Sequence, residues 1–131
     1  MSADIAYLDS SAIVKLLLDE PGSAALRAWL PRQWRHVSSA LVRTEVTRAV
    51  RRSSTDALDR VTPILARIAL IAVDDSLLAR AGTMEPPELR SLDAIHLAAA
   101  LSLEDDLGAL VTYDHRMVDA ARAAGIPLVT P

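Results

Sequence analysis

Asp9, Glu45, Asp93 and Asp114 are the residues of this chain whose types and settings could do chemistry. Each borders or interrupts apolar sequence: Asp9 ends "DIAYLD", Glu45 lies among the valines of "VRTEVTRAV", Asp93 sits in "SLDAIHLAAALSL", and Asp114 follows "ALVTY". Carboxylates are hard oxygen ligands, and with no cysteine in the chain and no paired histidine beside them they suit Mg²⁺ or Mn²⁺ better than zinc. Gathered together they would need such a cation, because two carboxylates ~5 Å apart repel by roughly 3 kcal/mol at an effective dielectric of ~20. Taken singly, each has a plainer reading. Asp93 suits a helix dipole, Asp9 a turn after a strand, Glu45 a pairing with Arg48, and Asp114 a helix cap. Whether they meet depends on the elements that carry them.

The run "DIAYL" at 4–8 is β-prone, and "SAIVKLLLDE" after it has apolar residues at helical spacing until Pro21 and Gly22 stop it. "SAALRAWL" predicts a second helix, "RHVSS" a short strand whose serines could cap the next element, and "ALVRTEVTRAVRRS" a further helix. "TDALDRVTPILARI" also reads as helical, with Pro63 forcing a kink or a break. A third strand is expected at "ALIAV" (69–73), then a short helix "DSLLARAG" capped by Asp74 and Asp75, and a loop with two prolines, "TMEPPELRS". The helix of 91–103 comes next. After it come a fourth strand "ALVTY" (109–113), the helix "DHRMVDAARAAG" closed by Gly125, and a short edge strand at "IPLV". This alternation over 131 residues predicts a single α/β domain, a three-layer sandwich with a central, mainly parallel sheet of four to five strands.

In such a sheet, ligands bind beyond the carboxyl ends of the strands. Asp9 and Asp114 follow the first and fourth strands and fall on that edge. The helix that feeds the start of the fourth strand must itself begin at the opposite, carboxyl edge, which brings Asp93 there in its first turn. Glu45 lies about six residues, on the order of 9 Å, into the helix leaving the second strand. Its neighbours Leu41, Val42, Val46 and Ala49 turn it inward, while Arg43, Thr47 and Arg51 face elsewhere. Four separate segments thus bring four carboxylates to one rim.

Composition narrows the class. Hydrophobic residues at 51% exclude a disordered tail protein, and aromatics at 3% argue against a stacking platform for unpaired bases. The net charge of -3 excludes a generally basic coat. Between Arg27 and Arg52, however, seven arginines stand against one acid, Glu45. Arg51 and Arg52 suit a helix C-terminus, and the alternative is that the cluster is a phosphate-facing patch. A chain without cysteine, with no basic segment before its first apolar run and no apolar run near the ~20 residues of a membrane span, is expected to be cytoplasmic.

At "YLDSSAIVKLLLDE", "RTEVTRAV", "SLDAIHLAAAL" and "LVTYDHRM" the chain resembles the PIN domain, in particular the VapC toxins of bacterial toxin-antitoxin pairs, over its whole length. The family's acidic quartet falls on Asp9, Glu45, Asp93 and Asp114, which in PIN domains hold Mg²⁺ or Mn²⁺ for RNA cleavage. The resemblance further implies Ser10 and Thr112 as hydroxyl support behind the ligands, a VapB-type antitoxin partner and a homodimer. The residues directly after Asp114 are His115 and Arg116, which leaves a second metal short of ligands, and Asp119 is expected to be solvated. His96 is expected to be a core histidine bonded to a backbone carbonyl.

On this reading the protein is a metal-dependent endoribonuclease. Asp9, Asp93 and Asp114 would hold an ion that activates water, Glu45 would act as ligand or base, and Arg43 and Arg48 would hold the RNA backbone outside the acidic pocket. The alternative is a PIN-like module that binds RNA or protein without cutting. A response-regulator receiver would need a late lysine, and the one lysine is Lys15; a haloacid-type phosphatase would want an aspartate where Ser11 stands.

Overall fold

In the computed structural model, which describes residues 3–131, the strands are β1 (Ile5–Leu8), β2 (Arg35–Ser39), β3 (Ala69–Ile71), β4 (Leu107–Val111) and β5 (Leu128–Val129). They form one sheet in the order β3-β2-β1-β4-β5, and every pairing is parallel. The helices are α1 (Ser10–Leu17), α2 (Ser23–Trp29), α3 (Val42–Ser53), α4 (Val61–Leu65), α5 (Asp75–Gly82), α6 (Ser91–Leu101) and α7 (His115–Ala123). No helix among the described residues is long and apolar enough to cross a membrane.

The layers follow from strand alternation. All four residues of β1 are buried, as a strand covered on both faces requires. Ile5 and Tyr7 enter one core with α5, α6 and α7; Ala6 and Leu8 enter the other with α1, α2 and α3. In α3 the spacing of Val42, Val46 and Val50 presents one fully buried stripe, and Arg43, Arg48, Arg51 and Arg52 are exposed outside it. Helix α6 differs: Ala94 through Ala100 are all buried, so it is apolar on nearly every side.

One irregularity sets the register at the sheet centre. Ile5 pairs with Leu107 and Ala6 with Ala109, so Gly108 is an extra residue in β4. The bulge reverses the alternation, which lets Leu107 and Leu110 enter the same core although they are three apart. It also explains why β4 begins at Leu107, two residues before the strand expected from "ALVTY".

The segment expected as a kinked helix over 55–68 is instead a 3₁₀ turn, Asp56–Arg60, followed by α4. The break falls before Val61, and Pro63 lies within the first turn of α4, where its missing N–H has no intrahelical acceptor to lose. The serines of β2 do not cap α3: Leu41 holds that position without a side-chain bond, and Ser38 and Ser39 are fully buried. Asp74 does cap α5, accepting from the Leu77 amide at 2.9 Å, and Gly125 ends the α7 segment in the left-handed region at φ 72°.

A β-carbon at Gly108 would stand 2.3 Å from the Ala3 carbonyl oxygen and 2.7 Å from the Trp34 ring. Gly108→Ala is therefore expected to destabilise the fold by about 1–3 kcal/mol in urea unfolding. Gly82→Ala, which meets open space at the end of α5, is the matched control and should be neutral or slightly stabilising.

Candidate active site

The strand order reverses at β1 and β4: β2 and β3 extend the sheet one way, β5 the other. Open α/β sheets bind ligands at this switch point. Asp9 leaves β1 there as the N-cap of α1, and Asp114 follows β4 as the N-cap of α7. Asp93 lies in the first turn of α6, and Glu45 is the fourth residue of α3.

Asp9 is buried, and each of its oxygens accepts. Oδ1 takes the Ala12 amide at 3.0 Å and the Ser11 hydroxyl at 2.6 Å; Oδ2 takes the Thr112 hydroxyl across the β1/β4 crevice. Burial pushes its carboxyl above the usual carboxylate range, while the hydrogen bonds from Ser11, Thr112 and the Ala12 amide pull it back. The support expected from Ser10 comes from Ser11. As the residue two after the cap, Ser11 turns back toward the Asp9 side chain, and its hydroxyl also accepts from the Tyr113 amide at 2.9 Å. Ser10, the first residue of α1, lines the outer groove instead. Thr112 has the expected place, and its hydroxyl accepts from the Asp114 amide at 3.2 Å as well.

Glu45 does not pair with Arg48. Its Oε1 lies 2.7 Å from Nε2 of His96, whose Nδ1 lies 2.7 Å from the Tyr7 hydroxyl. His96 is therefore buried as expected, but its ring is bonded to two side chains and not to a backbone carbonyl. The reason is geometric: three positions after Asp93 on α6, His96 faces the end of the sheet where Tyr7 and Glu45 meet it. The sequence carried a signal for this pairing in a histidine inside an otherwise apolar helix, but no indication of its partners. Burial holds the Tyr7 phenol far above its ordinary value.

Asp93 is half-buried and its carboxyl is raised, first by burial and then by the charges of Asp114, Asp9 and Glu45. Each of the other three acids thus bears on Asp93. Asp114 meanwhile caps α7, its Oδ1 accepting from the Arg116 amide at 2.9 Å. Asp119 is exposed, as expected of a solvated acid.

Among the described residues no three of these side chains stand together as a preformed site that could hold a metal ion. The donor set nevertheless fits a hard divalent cation. It is all carboxylate, charged alike and partly withdrawn from water, and Mg²⁺ keeps several waters while taking only one or two carboxylates directly. Beside the rim runs a groove of about 730 Å³, lined by Lys15, Glu45, Arg48, Arg52, Arg90 and Tyr113 among others. Of the two arginines expected to face phosphate, Arg48 lines this groove and Arg43 does not. Arg52 belongs to the basic stretch of α3 together with Arg48, whereas Lys15 and Arg90 come from other segments, so no local sequence pattern revealed those two.

A parallel three-layer α/β protein with a carboxylate rim at its switch point and a basic groove alongside is the class defined by this geometry. Residues 6–123 match the PIN domain family, and the chain belongs to it. It is 50% identical over 125 residues to "Ribonuclease VapC46" of Mycobacterium tuberculosis (strain ATCC 25618 / H37Rv), covering 95% of this chain and 96% of that protein. "Ribonuclease VapC35" of the same strain is 42% identical over 129 residues, with 95% and 96% covered. Among solved structures, the chain resembles one from a "Toxin-antitoxin complex from Klebsiella pneumoniae" at TM-score 0.68 and 24% identity, covering 96% of this chain and 97% of that one. It also resembles a chain of "VapBC2 from Rickettsia felis bound to a DNA fragment from their promoter" at TM-score 0.69 and 15% identity, covering 95% and 97%. At those identities the structural likeness bears on the fold alone.

Charge repulsion at Asp93 has a measurable cost. In chelator at neutral pH, Asp93→Asn is expected to raise Tm by about 2–5 °C. Because the folded-state pKa of Asp93 is raised, its contribution is lost as pH rises from about 4 through that raised value. Calorimetric scans across pH should show that loss in the wild type and a smaller one in the variant.

Proposed function

We propose that the chain is a Mg²⁺- or Mn²⁺-dependent endoribonuclease and the toxin of a toxin-antitoxin pair, acting in the cytoplasm as one PIN-like domain. The observation that carries this reading is the placement of the acids: Asp9 and Asp114 cap the helices that leave β1 and β4, Asp93 lies in the first turn of α6 and Glu45 in that of α3. The identity to VapC ribonucleases along nearly the whole chain supports it. Asp9, Glu45, Asp93 and Asp114 would hold the ion. When bound, it supplies positive charge at the scissile phosphate and a water of lowered pKa.

The chain's own residues do the rest. Ser11 and Thr112 fix both oxygens of Asp9, so its orientation is set before any ligand arrives. Glu45 stands where the rim opens into the groove and serves as ligand or general base. Arg48, Arg52 and Arg90 draw a phosphate backbone along the groove that the acidic rim alone would repel. A small VapB-type antitoxin and a homodimer complete the proposal, the antitoxin supported by the likeness to VapC ribonucleases.

A PIN-like module that binds RNA or protein without cutting is the second reading, favoured by the lack, among the described residues, of three acidic or histidine side chains grouped to hold a metal ion. Asp93→Asn separates the two. It should lower Mn²⁺-dependent cleavage of structured RNA by roughly 100-fold or more while leaving RNA retention intact. A wild type that binds Mn²⁺ yet cuts nothing across a broad RNA panel would establish the binding module instead.

The groove makes its own prediction. Arg48→Ala and Arg52→Ala should each weaken binding of single-stranded RNA and reduce the slope of log K against log salt by about 0.7. Arg43→Ala should leave that slope unchanged in the same fluorescence titration.

A further inference from the structure

His96 is almost wholly buried on α6, and nothing in carboxylate ligation requires an imidazole behind the rim. Yet both of its nitrogens are engaged at 2.7 Å, Nε2 with Glu45 Oε1 and Nδ1 with the Tyr7 hydroxyl. The direction of these bonds follows from elementary chemistry. An ionised carboxylate only accepts, so Nε2 carries the proton that points at Glu45. A phenol near neutral pH keeps its proton, and toward a neutral imidazole protonated at Nε2 it is the donor, because Nδ1 then offers a lone pair.

The phenol's own acceptor side faces further polar company. Tyr7 pairs in register with Val37, so Ser39, two residues on, shares its sheet face. The hydroxyls of Ser38 and Ser39 are both fully buried without a hydrogen-bond partner among the described residues, and of the two Ser39 is on the face of the phenol. Polar groups on β2, β1, α6 and α3 therefore succeed one another toward the rim. Among the described residues, Oε1 of Glu45 is bound in this way and no hydrogen bond ties Oε2.

We propose that Tyr7 and His96 are positioning residues: the phenol locks the imidazole in its Nε2–H form, and that N–H fixes one oxygen of Glu45 so that the other is presented to the rim. Neither residue touches substrate or ion. The assignment rests on the proposed metal-dependent nuclease and adds to it a reason for the orientation of Glu45. It also explains why Tyr7, buried in the middle of the sheet, carries a hydroxyl at all.

Two measurements on the full chain test it. In the metal-free protein, long-range ¹H–¹⁵N spectra of the imidazoles should show His96 predominantly protonated at Nε2 alone, and Tyr7→Phe should produce a mixture of tautomers. Calorimetric titration with Mn²⁺ should show about a 10-fold loss of affinity in His96→Leu. His96→Gln, whose amide can still donate to Glu45, should recover part of it. Should His96→Leu fail to fold, Tyr7→Phe takes its place in the titration, with a smaller loss expected. A wild-type His96 carrying its proton on Nδ1 overturns the proposal, as does unchanged Mn²⁺ affinity in the folded variant or a Gln variant no better than Leu. If the wild type binds no Mn²⁺, the nuclease reading fails on its own, and the tautomer spectra alone decide whether Tyr7 governs His96.

Discussion

A carboxylate nearly withdrawn from water at the point where the strand order reverses is the constraint around which the rest is arranged. An unpartnered charge in that position would cost several kcal/mol. Asp9 avoids this through three donors of different origin: the Ala12 amide at the start of α1, the Ser11 hydroxyl beside it, and the Thr112 hydroxyl from the far side of the crevice. Thr112 also receives the Asp114 amide, so a single hydroxyl joins the exits of β1 and β4. That use of Thr112 helps explain why strand pairing stops at Val111 and why the chain turns into α7 where it does. The site and the end of the sheet are one piece of construction.

The charge distribution meets a second demand. A protein of net charge -3 with an acidic rim would repel a polyanion, and the surface beside the rim reverses the sign. Helix α3 does this with its two sides: valines anchor it to the core, and arginines occupy the face toward solvent. Lys15 belongs to the groove for another reason. It is held by the Pro21 carbonyl at 2.9 Å and lies 4.8 Å from the Tyr113 ring centre, which makes it part of the wall. Arg48, Arg52 and Arg90, which also line the groove, are exposed.

The sequence made much of this legible because strand-helix alternation in an α/β chain carries the topology with it. Once "IAYL" and "LVT" are strands, the residues just beyond them lie on the carboxyl edge whatever the strand order turns out to be. The acids could be placed for that reason. What stayed hidden was contact. The choice of Ser11 over Ser10 depends on the turn at an N-cap, the partners of His96 depend on how α6 crosses the end of β1, and the Gly108 bulge depends on the approach of Ala3 and Trp34. None of these has a periodic signature. The break expected at Pro63 falls instead before Val61, and the residues ahead of it form a 3₁₀ turn where local propensity favoured helix and tertiary packing overrode it.

The apolar character of α6 is the last element of the design. Small alanines allow α6 to pack closely against the sheet and α5, and burial on nearly all sides secures the helix independently of its first turn. Asp93 can then be carried at the exposed end with its carboxyl raised by burial and by three like charges, because the seven consecutive buried residues after it hold the helix in place. The same rigidity presents His96 to Tyr7 and Glu45 at fixed distances. A helix that reads as mere core is thus the rigid mount for two of the polar groups at the rim. Its stability offsets the local destabilisation that a cluster of carboxylates imposes, in the manner expected wherever function places groups that folding alone would not choose.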